Sequence, residues 1–99
     1  IKNNIKDLVN PLDKILQLKG RNFNMKNGGH PDNDKVYLGM VAQEVEPILP
    51  EVVDIPQNPD HMWTIRYGEI TALLIEGMKE QQTQIETLKS EIEELKNGS

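Results

Sequence analysis

Reactive side chains are sparse in this 99-residue chain, and their spacing excludes most kinds of active centre. Cysteine is absent, which removes thiol nucleophiles, thiolate ligands and disulfides. The two histidines, His30 and His61, lie far apart in loop-like surroundings, and no His/Asp/Glu cluster has metal-ligand spacing. No metal and no cofactor is therefore expected. Gly28-Gly29 is a turn signal only, since the Gly-x-x-x-x-Gly-Lys-Ser/Thr pattern that cradles phosphate is missing. Glu91, Glu93 and Glu94 share a helix face with Lys89 and Lys96, the pattern of a solvated surface rather than of an acid/base pair. Gln43 and Glu44 stand where a strand runs into a short helix, and capping or solvation accounts for them best. Lys2 and Lys6 remain. A lysine acts as a general base only where burial or neighbouring positive charge lowers its pKa, and one beside a chain end is ordinarily solvated.

The elements that hold these residues follow from periodicity. Ile5, Leu8, Leu12, Ile15 and Leu16 recur at helical steps, interrupted at Asn10-Pro11. Asn as N-cap, Pro at the first helical position and Asp13 in the first turn predict a new helix from Pro11, ended by Gly20. Phe23 and Met25 fit a short strand, residues 27–34 a turn-rich loop, and residues 35–41 a second strand, together a hairpin with a long tip. Residues 42–49 read as a short helix that Pro47 keeps brief or kinked and Pro50 stops. Residues 52–55 fit an edge strand. Trp63, Ile65 and Tyr67 alternate as in a half-buried strand, so Trp63 is assigned to core or interface packing.

From Glu69 to about Lys96 the period is helical, with Gly98 as the stop. Leu74, Met78, Gln81, Ile85, Leu88, Ile92 and Leu95 fall at alternating four- and three-residue steps, the a and d positions of a heptad repeat. Ile70, Leu73 and Ile75 widen the apolar stripe at its start, so that part packs on the body of the protein as well. The last turns carry one narrow seam and cannot be stable alone in water, so they require partner helices. Ile at a with Leu at d leans towards two strands, and Gln81 at d is a polar layer that can fix register. The predicted class is α+β, mainly helical, with a globular region over residues 1–68 and a helix for self-association over residues 69–99.

A chain of this length forms one domain with a modest core, and without metals or disulfides oligomerisation is the expected support. Its net charge of -5, from 11 basic and 16 acidic side chains, opposes nucleic-acid binding. No apolar run approaches the roughly 20 residues of a membrane span, and Ile-Lys-Asn-Asn-Ile-Lys lacks a signal-peptide core. The expectation is a soluble domain with no nucleic-acid and no membrane partner.

The phrase Leu38-Gly39-Met40-Val41-Ala42-Gln43-Glu44-Val45 running into Leu49-Pro50-Glu51-Val52-Val53, followed by the segment Tyr67 to Glu80, resembles the C-terminal intramolecular chaperone domain of phage tail spikes and fibres. This is the self-cleaving serine-lysine family also called the S74 peptidases. The likeness lies in order and spacing: a strand phrase, a short helix, a Pro-Glu turn and a long apolar helix. It covers nearly all of residues 1–80.

The resemblance implies a homotrimer, an upstream fibre or spike shaft in the same polypeptide, and assembly in the host cytoplasm. It also implies cleavage at a Ser that opens a Ser-Asp-x-x-x-Lys element, with that Ser as nucleophile and the Lys as its base. Lys2 takes the Lys position and Lys6 is the second candidate. The Ser and Asp then fall upstream of Ile1, outside this chain, which as it stands is expected to be proteolytically silent. The expected function is to trimerise, to register the shaft for folding, and then to be released. A permanent trimerisation or receptor-contacting tip is the alternative, and related modules in membrane-tethered transcription-factor precursors are a third.

Overall fold

The computed structural model describes residues 1–24 and 35–98. In chain order the elements are α1 (Pro11–Gln17), β1 (Arg21–Phe23), β2 (Tyr37–Gly39), α2 (Ala42–Val45), a 3-10 turn (Pro50–Val52), β3 (Val53–Asp54), β4 (Thr64–Ile65) and α3 (Tyr67–Asn97). The class is α+β, as predicted. Met25, Gly28-Gly29, His30 and the rest of the hairpin tip lie outside the described residues. Two compact units make up the chain: residues 16–67, and residues 1–15 together with 68–99.

Residues 16–67 contain two antiparallel strand pairs, one of them the predicted hairpin. In it Arg21 pairs with Gly39, Asn22 with Leu38 and Phe23 with Tyr37, and the Phe23 and Tyr37 rings stack with centroids 5.9 Å apart. The second pair joins Val53 to Ile65 and Asp54 to Thr64. Ala42, Val45, Leu49, Val52 and Val53 are buried, Val45 almost completely. α2 is short for the reason the sequence implies. Pro47 has no N–H to give to the ladder, although the chain stays coiled through Leu49, whose N–H reaches the Val45 carbonyl at 2.8 Å. Pro50 does more than stop this helix, because it opens the 3-10 turn that delivers Val52 to the core. Trp63 and Ile65 are half-buried, whereas Tyr67 already starts α3.

The other unit is helical. Residues 1–10 do not form the helix that their apolar spacing suggests: Asn4 and Asn10 have φ of 53° and 51°. Left-handed residues break a right-handed helix, and asparagine tolerates that conformation better than most side chains. Ile1, Ile5 and Val9 are largely exposed, so no burial offsets the break. α1 then begins at Pro11 as predicted, with the Asn10 carbonyl accepting the Lys14 N–H at 3.2 Å. A free N–H of its first turn, that of Leu12, is met by the Glu80 carboxylate of α3 at 3.4 Å, a partner 68 residues away. Leu12, Ile70, Leu73 and Gly77 are buried.

Glycine inside a helix costs about 1 kcal/mol relative to alanine, so Gly77 needs a reason. It is the floor of a notch for Ile15, since a Cβ at Gly77 would collide with Ile15 Cδ1. Gly77→Ala is expected to be near neutral, because its helix-propensity gain offsets a displaced terminal methyl. Gly77→Val, with a bulk that Ile15 cannot escape by rotating, is expected to lower stability by roughly 1–3 kcal/mol. Denaturant midpoints of the two variants measure the difference.

Candidate functional site

α3 runs for 31 residues, roughly 46 Å at the helical rise. Residues 81–98 are exposed without exception. The seam lies along this free stretch and the turns before it: Leu74 is 50% exposed, Met78 71%, Ile85 45% and Leu95 79%, with Leu88 and Ile92 between these values. A narrow row of partly exposed apolar side chains on an otherwise polar helix is the pattern found where helices pack on one another. Some polar neighbours of the seam bond within the helix. Lys79 pairs with Glu76 at 3.3 Å, Gln82 donates to Glu86 at 3.3 Å, and the Thr83 and Thr87 hydroxyls donate to the carbonyls of Lys79 and Thr83. Gln81, on the seam itself, has no hydrogen-bond partner among the described residues. Gly98 follows the last turn, its N–H on the Glu94 carbonyl at 2.8 Å.

Lys2 and Lys6 both lie on the irregular, exposed segment that precedes α1. Lys2 has no ion-pair or hydrogen-bond partner among the described residues. His61 and the tail carboxylates Glu91, Glu93 and Glu94 are exposed as well. No group of three or more His, Asp or Glu side chains among the described residues is placed to hold a metal. No helix among them is long and apolar enough to cross a membrane.

Three anchors hold residues 16–67 in shape, none of them legible as a pair in the sequence. Glu44, on α2, binds the Arg21 guanidinium of β1 through both oxygens, at 2.9 and 2.7 Å. The hydrogen bond from Arg21 holds the Glu44 carboxyl below the usual carboxylate range; partial desolvation opposes this, and the charges of Arg21 and Lys19 add to it. Tyr67 places its hydroxyl beside Gly39, where a Cβ would come within 2.9 Å of it. That hydroxyl accepts the Met40 N–H at 3.0 Å and donates to the Met40 carbonyl at 3.3 Å. Arg66 joins β4 to the 3-10 turn: its backbone N–H meets the Val52 carbonyl at 2.7 Å, its Nη2 the Glu51 carbonyl, and its Nε the Asp54 carboxylate at 3.2 Å.

Because the Glu44 pKa is lowered by folding, the pair contributes stability above the ordinary carboxylate range, and that contribution is lost as pH falls through the lowered midpoint. The pair is partly exposed, so the contribution is small. By carbon-detected NMR titration, the Glu44 carboxyl is expected to titrate below the usual carboxylate range, and to move up in Arg21→Gln.

The chaperone of endosialidase family, the S74 peptidases, matches residues 1–54, and the chain belongs to that family. Over 101 aligned positions it is 32% identical to the long tail fiber protein Gp37 of Salmonella phage S16, an alignment that covers 98% of this chain and 14% of that protein. The chain thus corresponds to a small part of the relative's length.

Proposed function

We propose that this domain is an intramolecular chaperone for a fibre shaft that precedes it in the same polypeptide. It trimerises through α3, sets three shaft strands in register, and is then released by serine-lysine autoproteolysis at its N-terminal junction. The carrying observation is the exposed seam of α3 in a chain of the chaperone family. Leu74, Met78, Gln81, Ile85, Leu88, Ile92 and Leu95 form the trimer interface.

Charge placement supports a parallel, in-register coil. With Ile85 and Ile92 at a, Glu91 occupies g and Lys96 the next e position, where g and e side chains of neighbouring helices meet. In that arrangement every Glu91 faces a neighbour's Lys96. Non-local pairing between shaft chains is slow and exposes aggregation-prone edges, whereas a helical trimer forms from local contacts. The helix therefore assembles first and lowers the entropic cost of pairing the shafts. Release then leaves the shaft without an easy route back once unfolded, so its lifetime becomes kinetic.

In the release step Lys2 is the base for an upstream Ser. A lysine serves as a base only where burial or neighbouring positive charge acts on it, and Lys2 is exposed in this chain, so its competence comes from neighbouring copies or from the upstream junction. Assembly in the host cytoplasm and a final place on, or release from, the virion tail belong to the same reading, which the fibre relative supports.

The test is to express the chain with about thirty native upstream residues and to follow intact mass and light scattering. A trimer that sheds the upstream segment is expected. A trimer that stays whole would instead mark a permanent assembly or receptor-contacting tip, and a monomer would overturn both readings.

A further inference from the structure

We propose that the three Gln81 side chains of the assembled coil bind a small monovalent anion, chloride or bromide, on the coil axis. The proposal rests on the trimer reading above, and its observation is separate: Gln81 is the polar member of a seam that is otherwise apolar, and its carboxamide has no partner among the described residues. The polar side chains around it, those of Lys79, Gln82 and Thr83, bond within their own helix. Seam geometry places Gln81 between layers of Met78 and Ile85, which exclude water once three helices close. A buried amide left without partners is costly, so the layer must satisfy itself.

Threefold symmetry then limits how. Each carboxamide has two N–H donors and one carbonyl acceptor, and what one does all three do. If each carbonyl accepts an N–H from its neighbour, a closed ring forms and one N–H per chain is left over. Three donors with no acceptor then converge on the axis. A water molecule there accepts at most two of them and brings two O–H groups with nothing to receive them. A weakly hydrated halide such as chloride or bromide accepts all three and donates nothing, whereas fluoride is held too strongly by its own hydration shell to enter. The net charge of -5 works against the anion, which favours a monovalent over a divalent ion.

The experiment uses the whole chain, with its trimeric state checked first by light scattering. Wild type, Gln81→Ile and Gln81→Glu are melted in chloride and in fluoride at equal ionic strength, and the wild type is crystallised in bromide for anomalous diffraction. Isoleucine at d keeps a three-stranded coil available, and ionised glutamate keeps the shape while removing the donors. The expected result is a bromide peak on the axis and a chloride-specific rise in wild-type Tm of about 2 °C or more, absent from both variants. Equal chloride and fluoride responses in wild type and Gln81→Ile would overturn the site, and a bromide peak without a variant-dependent melting difference would be an adventitious ion only. A wild-type monomer or dimer would sink the trimer reading and the site with it, whereas an anion-insensitive trimer would sink the site alone.

Discussion

Replacing Ile85 and Ile92 together by aspartate is expected to turn the proposed trimer into a monomer at micromolar concentration. Full burial of an Ile or Leu side chain is worth about 1.5–3 kcal/mol, and the six apolar seam residues of α3 have between 45% and 79% of their surface still exposed. Closing the seam therefore gains about 1–2 kcal/mol per side chain, or roughly 6–12 per helix. Association costs about 4–15 kcal/mol in lost freedom, so the two sums are of similar size and the interface has little to spare. Two aspartates remove a third of the apolar layers and place carboxylates where unpaired charge costs several kcal/mol. The expected weakening is at least about a thousandfold. Light scattering reads the mass, and circular dichroism should show the tail unwinding, because an isolated helix of this composition is marginal in water. Glu93→Ser, off the seam, should leave the trimer intact. A double variant that remains trimeric would move the interface elsewhere, with the exposed Ile1, Ile5 and Val9 as the next surface to test.

Lys2→Ala, in a chain carrying its native upstream residues, is expected to abolish release while leaving the trimer unchanged. A positioned general base contributes about 10²–10⁴-fold, and a serine hydroxyl is a poor nucleophile without one. Lys2→Arg should be equally inactive, because a guanidinium keeps its proton at any working pH. Lys6→Ala should cleave normally. Intact mass over time gives every rate. If Lys6→Ala were dead and Lys2→Ala active, the junction would be out of register with the Ser-Asp-x-x-x-Lys element.

The parts legible in the sequence are those whose signal is local. A heptad read from Leu74 to Leu95 located α3 to within two residues of its observed start at Tyr67, because helical periodicity needs no distant partner. Asn10-Pro11 marked the start of α1 and Pro47 the brevity of α2 for the same reason. The apolar spacing from Ile5 to Leu16 misled as far as Asn10. Spacing alone does not weigh two asparagines in left-handed conformation against a face with nothing to cover it. The pairs Arg21–Glu44, Glu80–Leu12 and Tyr67–Met40 were illegible, since each joins residues 23 to 68 positions apart. Glu44 was read as capping or surface; half of that was right, because it is solvent-exposed, but its partner is a strand arginine and not its own helix.

The pairing of residues 1–15 with 68–99 also decides how the domain bears load. Tension that enters at the first residues and leaves along α3 is carried across the seating of Ile15 on Gly77 and the link from Leu12 to Glu80. In sequence, residues 16–67 are an insertion between the two segments of this unit. The contacts at Gly77 and Glu80 thus close that unit across the intervening residues, and a load applied at its two ends is borne by them first.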